Sequence, residues 1–427
     1  MVRRGRFTMD EFIDGLLNQK DATEQPSDTQ KPEDITMRIP EWYDEKLYNK
    51  GRHFYWNNCF QFSSSMLVGL VAVFSVPSIL RVLISSRRSN SIFTSYKRYL
   101  STVLHTISWF EHDLKPGTVS WRSLMTVRSR HLKASIASKM KGQGIISQRD
   151  LALTQFGFFG FAMLKPDKFG IRQLEPGDWE AYNHFWRTIG YVIGLEDKYN
   201  ICRKNFEETR AVCKIILERV FTPCLDVVPE GFEHMTRTML DSMRYVNPTI
   251  DVEALLYWTK YLAGVPGYIY SEGERAELQD TLRAKLKGRS NDIGVDTAEL
   301  LLSKPAIEIS PRTPRLIYLQ DYETIESIPE YQRLDLTGRY KLTFNYILGS
   351  LYTSFIFRWF INLNFFQALF LMKYLPYLAF FKFGITASYV NIFKEDPVDD
   401  TVPKPNSEYT KPRQRKPFYK EILSFLW

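Results

Sequence analysis

Apolar residues in this chain recur at helical spacing, and no run alternates with period two. A period of about 3.6 residues lays side chains along one face of a helix, whereas a half-buried strand needs a period of two. Phe93, Tyr96, Leu100, Val103, Ile107 and Phe110 share one such face, and Lys115-Pro-Gly117 ends that element. Trp179, Tyr182, Trp186, Ile189 and Ile193 share another, opened by Pro176-Gly177-Asp178. Ser147, with Asp150 three residues on, forms a capping pair that starts a further helix. More helices are expected across 121–140, 203–221, 229–245, 252–264 and 273–287. The pattern predicts an all-α protein, a single large helical domain.

Aromatic residues make up 15% of the 427 residues, and that many flat rings need a core, a large apolar ligand site or a membrane to cover them. The organisation reads as a flexible polar head over 1–38, a helical domain over 39–287 and an irregular connection over 288–340. Aromatic-rich helices follow over 341–395, facing a membrane or forming a core wall, and a loose basic tail runs over 396–427. No signal-peptide core is evident in the head. Phe54 to Leu80 carries no charge, but Pro77, Gly69 and three consecutive Ser weaken it as a span, so a buried core helix is favoured. Between Thr343 and Phe393 there are three basic residues and no acidic ones, the composition of interfacial helices or of a hydrophobic wall. Lys and Arg are otherwise spread along the chain, so the net charge of +8 reads as a solvated basic surface and nucleic acid is not expected as a partner.

Familiar catalytic signatures are absent: no phosphate-binding glycine loop, no H-E-x-x-H, no G-x-S-x-G. Without C-x-x-C-H, covalent haem attachment is excluded. Cys202, Cys213 and Cys224 are spaced by 11, which aligns them on a continuous helix, but Pro223 is expected to break it and leave them as small buried hydrophobes. The informative helix is 121–140. Arg128 lies near the centre of a stripe of Trp121, Leu124, Met125 and Leu132, with His131 and Ser135 beside it and Arg130 and Lys133 on the wet side. An Arg inside an apolar stripe needs an anion. An iron porphyrin satisfies both residues, imidazole on iron and guanidinium on propionate; an internal carboxylate partner for Arg128 satisfies it equally. On the helix at 91–112, Arg98, Thr102, His105 and Trp109 share a second face, which is a polar pocket wall if covered and a solvated surface if not. His184 is expected to face solvent, and His53, His112 and His234 have no suggestive company.

Four short motifs occur in order: Arg98-Tyr-Leu-Ser-Thr102, Val127-Arg128-Ser-Arg-His131, Gln148-Arg-Asp150-Leu-Ala-Leu-Thr154, and Phe185-Trp-Arg-x-x-Gly190-Tyr-x-x-Gly194-Leu-Glu-Asp197. In these the chain resembles the catalytic-domain family shared by rubber oxygenase (latex clearing protein) and the ER-bound oxygenase MpaB. The resemblance implies a globin-like helical core holding non-covalent haem b. It implies His131 as the iron ligand, Arg128 as a haem-binding residue, and Arg98 and Thr102 as catalytic residues of the distal pocket. Ser101 stands where rubber oxygenase carries Lys, and Ser135 where relatives carry Arg; His105 is then a second metal-ligand candidate. The implied activity is cleavage of a carbon–carbon double bond of an apolar, isoprenoid-like substrate by dioxygen. Membrane association, at the endoplasmic reticulum, follows from the same resemblance, with a cytoplasmic location as the alternative. A haem- or lipid-binding protein without turnover, membrane-associated, is the rival expectation, and a purely structural helical protein a lesser one.

Overall fold

The computed structural model describes residues 9–409 apart from 270, 287–293, 297–299, 303, 304, 310 and 312. The protein is all-α. In chain order the helices are α1 Met9–Leu17, α2 Lys20–Thr23, α3 Glu45–Asn57, α4 Cys59–Phe74, α5 Pro77–Ser85, α6 Ile92–Glu111, α7 Val119–Met140, α8 Gln148–Leu164, α9 Pro166–Phe169 and α10 Asp178–Val192. There follow α11 Phe206–Ile216, α12 Thr222–Asp226, α13 Phe232–Met243, α14 Val252–Leu262 and α15 Glu272–Leu286. The C-terminal part holds α16 Pro329–Gln332, α17 Leu336–Tyr352, α18 Phe355–Tyr374, α19 Tyr377–Phe383 and α20 Ile385–Ser388. Among the described residues the strands are two short antiparallel ones, β1 Val295–Asp296 and β2 Leu316–Ile317.

The core is set by two close helix pairs. α3 packs along α10, where a methyl group on Gly51 would lie 2.4 Å from the Ala181 carbonyl oxygen. α4 packs along α8, where a methyl on Gly69 would lie 1.8 Å from the Gly157 oxygen. Side chains cannot stand at either contact, and backbones meet there directly. Val68, Val71, Ala72 and Phe74 of α4 are buried, so the charge-free run after Phe54 is a core helix. α5 turns away from it by 92° after Ser75, with Pro77 in its first turn. The predicted capping pair at α8 is present: Asp150 N donates to Ser147 Oγ at 3.1 Å, and Ser147 N donates to Asp150 Oδ2 at 3.1 Å. α6 opens with a capping box of its own, Ser91 with Thr94.

Several expectations are corrected. The head is ordered from Met9: α1 buries Phe12, Ile13, Leu16 and Leu17, and Pro26 bridges to Ser147. Residues 1–8 lie outside the described residues. Pro223 does not break the chain's helix; a π-helical turn, Leu217–Phe221, links α11 to α12 and absorbs the missing backbone donor. Cys202, Cys213 and Cys224 are buried, as expected, and they and the buried Cys59 are free. The described part of the tail is not loose. Arg88 binds Glu395 at 2.8 Å and the Asp396 carbonyl, Ser91 donates to Asp399, and Asn90 donates to the Thr401 oxygen at 3.0 Å. Residues 410–427 lie outside the described residues. The aromatic-rich helices α17 to α19 do not form a buried wall: Phe355, Trp359, Phe360, Phe370 and Phe381 are exposed.

Candidate functional site

Where α6 crosses α7, a cavity of about 1230 Å3 opens between them, α4, α8, α10 and the C-terminal helices. Typical ligand sites are about 300–1,000 Å3, so this one is large. The second face of α6 is covered. Arg98, Thr102, His105 and Trp109 all border the cavity, which settles the open alternative in favour of a polar pocket wall.

His131 borders the same space from α7. Among the described residues its Nδ1 is buried without a hydrogen-bond partner. Burial first, then the guanidinium groups of Arg98 and Arg130, push the imidazole down to about 4. It is therefore neutral at physiological pH, the form that offers a nitrogen lone pair. Arg98 donates to Ser86 Oγ at 3.1 Å and has no carboxylate partner among the described residues. Buried Ser101 also lines the cavity, and its Oγ, like Oε1 of Gln155, has no partner there. Unsatisfied buried polar atoms gathered at one void call for an explanation, and a bound group supplies one.

Thr102 is in place, with its hydroxyl proton given to the Arg98 carbonyl at 3.0 Å. His105 is fully engaged: Nδ1 meets Ser123 Oγ at 2.7 Å and Arg130 Nη1 donates to Nε2 at 3.3 Å. Burial, then Arg130, push it down to about 4. With both nitrogens committed, it does not serve as a second metal ligand in this arrangement. Arg128 is directed elsewhere. Its Nε donates to Asp28 Oδ2 at 2.6 Å and its Nη1 to the Val192 carbonyl at 3.3 Å, and it does not border the cavity. The anion that its place in an apolar stripe demanded is an internal carboxylate. His184 is buried, contrary to expectation: Asp44 N donates to its Nε2 at 3.0 Å and Tyr43 stacks on it.

Arg130 was assigned to the wet side, yet it lines the cavity and donates to the Lys394 carbonyl. Met125, assigned to the apolar stripe, is 37% exposed. The reason is that α7 is covered on two sides, by α6 and by the N-terminal segment, where Ser129 donates to the Pro32 oxygen at 3.4 Å. Its buried positions include Ser120, Ser123, Ser135 and Ser138. That serine stripe was the available signal, and a search for apolar stripes passes over it.

The remaining motif residues hold the frame. Gln148 donates to the Ser27 and Gly194 carbonyls and accepts from Glu196 N at 2.9 Å. A methyl on Gly190 would lie 2.3 Å from Gln155 Nε2. Gly194 has φ +109° and packs beside Arg128.

The residues present fit a haem in chemistry. A neutral imidazole is available for iron, and Arg98, Arg130 and Lys133 border the same cavity for carboxylates. Among the described residues no three His, Cys, Asp or Glu side chains group to hold a bare metal ion.

No family model matches the chain, and no curated protein matches it. Among solved structures, latex clearing protein in the closed state is similar at 19% identity, over 61% of this chain and 73% of that one, with a TM-score of 0.43.

Proposed function

We propose that the protein is a haem b-dependent oxygenase that cleaves a carbon–carbon double bond of an apolar, isoprenoid-like substrate. The observation that carries this reading is His131: a neutral imidazole whose Nδ1 has no hydrogen-bond partner among the described residues, at the wall of a large cavity, flanked by Arg98 and Arg130. Haem, when bound, supplies the redox-active iron through which dioxygen reacts with an alkene. Dioxygen cleavage of a double bond places one oxygen atom on each of two carbonyl products and needs no reductant. The chain's own residues do the rest. His131 offers its lone pair. Arg98 and Arg130 hold carboxylates by charge-assisted hydrogen bonds. Thr102 offers an acceptor lone pair, its proton being committed. Ser101 and Tyr99, whose hydroxyls have no hydrogen-bond partner among the described residues, are the α6 hydroxyls free to donate a proton on this wall. Leu67, Leu70, Phe158 and Ile189 line the space with hydrocarbon and disfavour water. The reading includes membrane association, at the endoplasmic reticulum by the sequence resemblance.

A second reading, haem or lipid binding without turnover, is favoured by one observation. Both nitrogens of His105 are engaged, so the α6 wall presents no free base. Oxygen uptake by the haem-loaded protein with a polyprenyl alkene separates the two. The oxygenase reading expects uptake with carbonyl products in matching amount, lost when Ser101→Ala is combined with Tyr99→Phe. Haem loading with no uptake on any polyprenyl chain favours the binding protein.

A further inference from the structure

From Leu336 to Lys394 the chain carries no acidic residue and six basic ones: Arg339, Lys341, Arg358, Lys373, Lys382 and Lys394. α18 lies at the centre of this stretch. Its 20 residues make a rod about 30 Å long. One side is fastened to the body. Asn362 Nδ2 donates to the Asn57 carbonyl at 3.0 Å, Tyr352 Oη donates to Asn362 Oδ1 at 2.5 Å, and Lys373 binds Glu111 at 2.5 Å. The other side is Phe355, Trp359, Phe360, Phe366, Phe370 and Tyr374, from 44% to 72% exposed. A helix apolar all round belongs in a core or in lipid, and here half of it has neither.

The cavity reaches this same helix. Phe344 of α17, Asn364 and Gln367 of α18, Leu375 just after it, and Tyr377 of α19 line it while being exposed. Near His131 it is bordered by Arg87, Lys133, Lys141 and Glu395, also exposed. One void is therefore bordered by exposed residues in two places, a charged one near His131 and a mostly uncharged, aromatic-bearing one along α17–α19.

We infer that the α17–α19 face is embedded in one leaflet of an anionic bilayer and that the cavity draws its apolar ligand from that leaflet through the flank that this face forms. Three observations choose this occupant. The stretch itself carries no acidic residue, and Lys382 and Lys394 stand exposed on it, which suits anionic headgroups at about 1 kcal/mol per exposed basic residue, whereas Arg358 is buried and Lys373 is paired with Glu111. Two copies of it would oppose like charges, which disfavours a self-paired interface. The anchored inner side keeps α18 from being a lipid-surrounded span, so it lies in the interface rather than crossing. An apolar chain also avoids the charged border this way. The inference rests on an apolar ligand occupying the cavity; haem takes part in none of its tests, so absence of haem binding leaves it standing.

The test uses the full chain with vesicles of phosphatidylcholine and phosphatidylserine in a two-to-one mixture. The protein is expected to float with them. Brominated lipid is expected to quench its tryptophan emission, with most of the quenching lost in Trp359→Phe. Phe355→Ser combined with Phe360→Ser and Phe370→Ser, all at exposed positions, is expected to weaken flotation by at least about tenfold. Uptake of a pyrene-labelled alkene from the vesicles, read as loss of excimer emission, reports the flank. Ala368→Trp and, as an independent surface variant, Leu375→Trp are expected to slow it about tenfold while flotation is retained. Ala137→Trp at the charged border is expected to leave it unchanged. Failure of the wild type to float, or a dimer abolished by the triple variant in its place, overturns the docking. Slowing by Ala137→Trp alone overturns the flank.

Discussion

A neutral imidazole is what fits His131 to bind a metal, and its neutrality is measurable as pH-dependent stability. The folded value of about 4 lies below the ordinary value near 6.5, so the unfolded chain binds more protons between the two. The stabilisation is fully present above about 6.5 and is lost as pH falls through about 4. A shift of that size corresponds to roughly 3 kcal/mol, and His105 behaves alike. Urea midpoints of the haem-free protein are expected to fall steadily over this window, and the fall is expected to shrink in His131→Gln. A flat profile above pH 5 in both proteins contradicts the assignment. Arg128 gives a second residue-scale prediction. Removing it leaves Asp28, 8% exposed, as a buried unpaired carboxylate, so Arg128→Ala is expected to destabilise by about 3 kcal/mol in denaturant. Its haem affinity is expected to stay within about twofold, whereas Arg98→Ala weakens haem binding roughly tenfold with little effect on stability, and Arg130→Ala weakens it similarly while also destabilising, since it loses the bonds to His105 and the Lys394 carbonyl. The sequence placed Arg128 on a covered side, where it meets an internal carboxylate, but put Arg130 on the wet side, although it lines the cavity. A helix stripe shows which side is covered, but not that α7 is covered twice.

At the scale of elements, the α4–α8 crossing positions the back of the cavity. Gly69→Ala puts a methyl 1.8 Å from the Gly157 oxygen, against backbone that cannot give way. The expected outcome is a loss of about 3 kcal/mol, with the helices forced apart, seen as a lowered Tm. A Tm within a degree of wild type contradicts the described crossing. Elements were read well where local chemistry decides them. The Ser147–Asp150 cap needs only its own residues, and spacing alone groups Arg98, Thr102, His105 and Trp109 on one face of α6, while the cover over that face comes from the fold. Pro223 was misread because a π-turn, a feature of tertiary packing, accommodates it. His184 was misread because the covering residues, Trp42 and Tyr43, come from more than a hundred positions away.

Over the whole molecule, both segments expected to be loose are packed, and the C-terminal one closes the site. The N-terminal segment reaches α7 through Asp28, and the C-terminal strap lies over the charged border through Glu395 and the Lys394 carbonyl. Polar composition made both look unstructured, since ion pairs to distant partners leave no periodic trace. The helical class was legible without them, and so was the polar face of α6, though not its cover. The central claim is that His131 holds haem in this cavity, and it is tested most directly by titrating haem b into the purified protein and recording the Soret band. One equivalent is expected to bind with a sharp band, retained in His105→Ala and lost or displaced in His131→Ala at unchanged far-UV circular dichroism. No Soret band in the wild type, or an identical band in His131→Ala, contradicts it.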